Sequence, residues 1–253
     1  MYTDAEFERL EEEEHSLTME EVARMLLLLG TLQSSLEKEL RQFYQKYGKD
    51  GVVAYRDVRK WVSKKDRRKR LAVLLLFITG KFNSLLDGLK SHFTMFLTGV
   101  TNKEREFFNV TLDDENLLLT KWGTDNLSWL DRLTDDVELW PQYIALDIKR
   151  SILRQDDIES VLKLVNKRFT SMEQILQRLA ITESTAMNSI ARRRIFKELG
   201  VTKYRFYTRA DERTCEVCGS MHGLVFPISS YEIGVNASPM HPRCRCWEVP
   251  IMD

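Results

Sequence analysis

The chain has 253 residues, with Lys+Arg and Asp+Glu balanced at 38 each and only four cysteines. That length accommodates one large or two modest domains with ordinary cores, and the zero net charge excludes a molecule-wide electrostatic bias towards nucleic acid, so any such contact must be local. The opening Met1-Tyr-Thr-Asp-Ala-Glu6 is acidic and polar, unlike a secretory leader, and the longest apolar run, Leu71 to Ile78, is short of the roughly 20 residues that cross a bilayer.

Proline divides the chain. Pro141 alone interrupts the first 226 residues, whereas Pro227, Pro239, Pro242 and Pro250 crowd the tail. A helical body followed by a tail of loops and short strands is predicted, because proline vetoes continuous helix. The overall class is mainly α, with a small α+β C-terminal domain. Three regions follow: an acidic, disordered lead over 1–17, a helical body over 18–174 and the C-terminal domain over 175–253.

The first firm helix is expected at Thr18, where Thr18-Met-Glu-Glu21 fits a capping box. Val22, Met25, Leu29, Leu32, Leu36, Leu40 and Phe43 then recur at steps of three and four until Gly48. A second helix is expected from Val53 to Ile78. It contains the basic run Lys64, Lys65, Arg67 and Arg68, readable as a phosphate-binding patch or as a solvated helix turn.

Beyond it the pattern stays helical, broken at Gly99 and Gly123. Asp113-Asp114, Asp135-Asp136 and Asp156-Asp157 read as helix-start caps rather than acid/base pairs, since carboxylates there satisfy orphan amides and oppose the helix dipole. Trp122, Trp129 and Trp140 read as packing anchors. Pro141 marks a bend, after which helix continues from Tyr143 towards Phe169. A last helix runs from about Thr182 to Leu199, with Ala186, Met187, Ile190, Ala191, Phe196 and Leu199 inward and Arg192 and Arg193 outward. Gly200 sits where a left-handed C-cap belongs.

The period then changes to two. Tyr204, Phe206 and Thr208 alternate with Arg205, Tyr207 and Arg209, the mark of a half-buried strand, and Leu224–Phe226 and Trp247–Val249 supply two more. Between them lie all four cysteines, as Cys215-x2-Cys218 and His241-Pro-x-Cys244-x-Cys246. A C-x2-C turn presents two thiolates together, and a returning Cys/His cluster completes the tetrahedral shell that zinc prefers. Cys215, Cys218, His241 and Cys244 form the preferred set, with Cys246 as the alternative fourth ligand and His222 a weaker one. Four protein ligands leave no open position, so the zinc is expected to be structural. Disulfides are the main rival. No nucleotide, hydrolase or metalloprotease motif occurs.

The order Ile181-Thr-Glu-Ser-Thr-Ala-Met-Asn188, Gly200-Val201, Asp211-x-Arg213-Thr214-Cys215-x2-Cys218, Gly223 and His241-Pro-x-Cys244-Arg245-Cys246 resembles the phage head morphogenesis family, the Mu F-like minor head proteins. The resemblance covers roughly residues 175–253. It implies a non-enzymatic minor capsid protein of the virion, inside the head near the portal, and in the host cytoplasm during assembly. It also implies portal and other head proteins as partners, non-specific double-stranded DNA contact and no membrane. Lys64, Lys65, Arg67, Arg68, Arg192, Arg193 and Arg243 are the candidate phosphate contacts. A zinc-dependent nucleic-acid-acting protein, nuclease or toxin-related, is the alternative.

Overall fold

The computed structural model describes residues 3–59, 70–111 and 116–252. In chain order these form α1 (Asp4–Tyr47), α2 (Tyr55–Val58), α3 (Arg70–Phe108), α4 (Trp129–Glu138), α5 (Trp140–Arg154), α6 (Ile158–Glu198), β1 (Lys203–Tyr207), α7 (Glu216–Met221), β2 (Val225–Pro227) and β3 (Trp247–Ile251). The expected class holds: long helices, then a small sheet.

Helix α1 starts far ahead of Thr18. The acidic lead is helical because Phe7, Leu10 and Glu14 continue the apolar stripe backwards at steps of three and four, and all three are buried. Thr18 is therefore no cap. Its Oγ1 donates to the Glu14 carbonyl one turn back and meets Ser184 Oγ at 2.9 Å. The stripe from Val22 to Phe43 is buried throughout, and the helix ends where expected. A Cβ at Gly48 would lie 2.4 Å from the Tyr44 carbonyl oxygen, which only glycine tolerates.

The expected helix from Val53 to Ile78 is instead the short α2 and the N-terminal half of α3. Lys64, Lys65, Arg67, Arg68 and Asp113-Asp114 lie outside the described residues. Gly99 does not break α3; a Cβ there would only touch Leu17. By length and composition alone α3 is apolar enough to cross a membrane. Its Leu74, Ile78, Phe82, Leu85 and Leu89 are buried within the protein.

Asp135-Asp136 falls in the last turn of α4, not its first. The start belongs to Ser128, whose Oγ accepts from the Asp131 amide while Asp131 Oδ2 accepts the Ser128 amide in return. Asp157 does cap, accepting the Ser160 amide at 2.9 Å ahead of α6. Pro141 lies in the first turn of α5 rather than at a bend within a helix. The expected continuous helix through Ile158 is broken at Gln155, in the left-handed conformation at φ 61°. From Ile158, α6 runs 41 residues without the expected interruption before Thr182.

Two compact units divide the chain, each discontinuous: residues 1–23, 91–133 and 177–253 in one, 24–90 and 134–176 in the other. The 24–90/134–176 unit is helical, cored by residues such as Met25, Phe82, Ile148, Val165 and Phe169 and tied by Arg168 to Asp147 at 2.6 Å. The other unit carries the sheet. Gly200, at φ 70°, caps α6 as expected, with the Val201 amide returning to the Phe196 carbonyl. The chain then enters β1, the central strand of an antiparallel sheet ordered β2-β1-β3, with Tyr204 opposite Phe226 and Pro250. Its inward Tyr204 joins Phe7, Phe108, Phe196, Tyr231 and Trp247 in one core. Phe206, also inward, sits instead among the cysteines.

Candidate metal centre

Two turns carry the cysteines to one point. In the first, Asp211 folds the loop after β1: its Oδ1 accepts the Arg213 amide and the Thr214 hydroxyl, while its own amide donates to Thr214 Oγ1. This turn delivers Cys215 to the N-cap of α7, where Sγ accepts the Cys218 amide at 3.4 Å. Cys218, in the first helical turn, points to the same side.

The second turn is His241-Pro-Arg-Cys244, closed by the Cys244 amide on the His241 carbonyl, with Arg243 at φ 62°. Two threonines of α6 hold it. Thr182 Oγ1 accepts the Arg243 amide and Thr185 Oγ1 donates to the Cys244 carbonyl, both at 3.0 Å. Arg245 locks one turn to the other through a bidentate pair with Asp211 at 2.7 and 2.8 Å.

His241 Nε2 thereby stands 3.2 Å from Cys215 Sγ and 3.4 Å from Cys218 Sγ, and Cys218 Sγ stands 3.9 Å from Cys244 Sγ. A tetrahedral zinc with Zn–S of about 2.3 Å and Zn–N of about 2.0 Å holds two sulfurs about 3.8 Å apart and a sulfur and nitrogen about 3.5 Å apart. Those three spacings fit that shell. Cys246 also belongs to the cluster: Cys218, Cys244 and Cys246 form one mutually close group and Cys215, Cys218 and His241 another, sharing Cys218. The fourth ligand is thus open between Cys244 and Cys246. All four thiols are free of disulfide bonds.

The charges are uneven. A hydrogen bond from the Cys246 thiol, with backbone amides behind it, lowers the Cys244 pKa to about 5. That same hydrogen bond and burial push Cys246 up. Burial and the neighbouring Cys244 raise Cys218 to about 12, whereas the Cys218 amide lowers Cys215. For His241, burial is outweighed by the Pro242 carbonyl accepting from Nδ1 and by the adjacent sulfurs, so its pKa rises. A histidine whose Nδ1 proton is held by a carbonyl presents Nε2 as the ligand.

His222 is not part of the cluster. Its Nδ1 accepts from the Thr208 amide at 3.1 Å and its ring stands edge-on to Tyr207. Asp211 is held at a pKa of about 2, first by Arg245.

The candidate phosphate contacts separate. Arg193 and Arg243 are exposed. Arg192, expected to face outward, is 1% exposed and ion-paired to Glu11, Glu14 and Glu104. Helical spacing could have placed it with Ile195 and Phe196, but a buried arginine is anticipated only where its carboxylates are foreseen, and the acidic lead concealed them.

Residues 142–249 match the family model described as Phage Mu protein F like protein. This supports the resemblance drawn from the cysteine region and begins well before it, within α5. No curated protein and no solved structure matches the chain.

Proposed function

We propose that this chain is a bacteriophage minor head protein whose C-terminal domain is built around one structural zinc ion. The observation that carries the reading is that His241 Nε2 stands at zinc-shell distance from Cys215 and Cys218, and Cys218 at that distance from Cys244, inside a region matched to Mu F-like proteins. Cys246 is the alternative fourth ligand.

Zinc held by four protein ligands keeps no position for water and supplies structure, not hydrolysis. The surroundings agree: Asp211 is committed to Arg245 and the loop amides, and His222 to Thr208. The protein acts by docking in the head, at the portal and the head interior, in assembly and in packaging or ejection of the DNA. Its phosphate contacts are sequence-independent and fall to exposed arginines such as Arg193 and Arg243, with Lys64, Lys65, Arg67 and Arg68 as a second candidate patch.

Co-expression with the portal protein of the same phage tests this. A complex that survives gel filtration, with no cleavage of DNA or RNA in Mg2+, Mn2+ or Zn2+, is expected. Metal-dependent cleavage that disappears in His222→Ala would contradict it and favour a nuclease.

A further inference from the structure

Helix α5 is apolar on two sides. Inward, Trp140, Ile144, Ile148 and Ile152 are buried in the helical unit. Outward, Leu139 at the N-cap, Tyr143, Leu146 and Leu153 are each between 42% and 52% exposed. With Arg150 they recur at steps of 4, 3, 4 and 3, the spacing of a heptad seam, so the five side chains share one narrow stripe about two heptads long. Single exposed apolar residues are ordinary on a protein surface, but a line of them at seam spacing marks an interaction face.

The charge on this face is one-sided. Lys149 and Arg150 are exposed, and no ion pair holds either among the described residues. Arg154 follows them, shared with Asp156 at 2.6 Å. The only carboxylate of α5, Asp147, is buried and bound by Arg168 at 2.6 Å.

These charges choose the occupant. A second copy presenting the same face would set Lys149 and Arg150 against their own counterparts with no carboxylate of α5 between them, and like charges across an interface oppose association. An anionic bilayer would attract the cations, but an interfacial helix sinks its apolar side chains roughly 5–10 Å into the headgroup boundary, and these leucines are half covered by their own protein. A helix with apolar residues at the same seam spacing, flanked by Glu or Asp, meets both features at once: it fills the stripe and pairs the two free cations.

Taking the protein to act by docking in the head, we propose that the outer face of α5 binds an acidic amphipathic helix of another head protein, with Leu139, Tyr143, Leu146 and Leu153 in the seam and Lys149 and Arg150 pairing its carboxylates.

The full chain is titrated against a fluorescein-labelled designed helix of about three heptads with Leu at a and d and Glu at e and g, and against the same helix with Lys at e and g. Fluorescence anisotropy should report binding of the acidic helix only, weakening as salt is raised. Leu146→Asp, and separately Lys149→Glu with Arg150→Glu, should each weaken it about tenfold or more; an unchanged circular-dichroism melt shows that the variants are folded. No binding of the acidic helix, equal binding of both helices, or an affinity unchanged in the variants would overturn the proposal. Sedimentation with phosphatidylglycerol-containing vesicles that Leu146→Asp abolishes would assign the face to a membrane surface and overturn it too. Portal co-expression separates the proposal from the docking role it assumes. A complex formed by wild type and variants alike overturns the proposal and leaves the role, and loss of the complex in the variants supports both. No wild-type complex, with the acidic helix still bound, overturns the portal role and leaves the surface.

Discussion

Arg192 illustrates how one side chain changes role once its surroundings are known. Its positive charge survives complete burial because Glu104, Glu11 and Glu14 outweigh the desolvation that opposes it. The carboxylates gain less: burial raises Glu104 to about 7 despite the arginine, and Glu14 is raised too, by burial and then by Glu104 and Glu11. A carboxyl whose folded pKa exceeds its unfolded value stabilises most below the unfolded pKa and loses that contribution as pH rises towards the folded one. Stability should therefore fall between about pH 4.5 and pH 7. Arg192→Met removes the partner of three buried acids and should cost about 3–5 kcal/mol at pH 7.5, with much of the loss recovered near pH 5. Urea unfolding at the two pH values reads this; a loss independent of pH would assign Arg192 a packing role only.

Among the elements, the tail was the most legible part of the sequence. A strand announces itself by alternation, and Tyr204 and Phe206 face inward in β1, pairing with the two other strands as expected. The helix boundaries were less so. Gln155 adopts a left-handed conformation that sequence usually assigns to Gly or Asn, so the end of α5 was invisible. The acidic lead hid a helix because its buried residues, Phe7, Leu10 and Glu14, include a carboxylate whose partner lies 178 residues away. At α4 the signal was present in Ser128-x-x-Asp131 but overshadowed by Asp135-Asp136. Ser128→Ala should cost about 1 kcal/mol, measured by urea unfolding, while Asp135→Asn changes little; equal effects would contradict the assignment of the cap.

Molecular function was legible only through the cysteine region, since balanced charge and long helices suit many roles. Arg192 is withdrawn from the candidate DNA contacts by its burial, while Arg193 and Arg243 are exposed. Binding to DNA should be indifferent to sequence and weaken steeply with salt. Arg193→Glu with Arg243→Glu should flatten the dependence of log Kd on log salt by about two contacts. An unchanged slope would move the contact to the run from Lys64 to Arg68, and strong sequence preference would contradict both.

The two cysteine turns and the small sheet share a core too small to stand alone, Phe206, Cys218, Cys244 and Cys246 edged by Met221, Phe226 and Met240, which the proposed zinc would close. Zinc in such a site contributes on the order of 10 kcal/mol to folding. The direct measurement is elemental analysis of the chain purified in reducing buffer, alongside Cys218→Ser. One zinc per wild-type chain is expected, and none in the variant, whose tail beyond Gly200 should become protease-sensitive while the helices persist. A wild-type protein without metal and with four freely titratable thiols would contradict it.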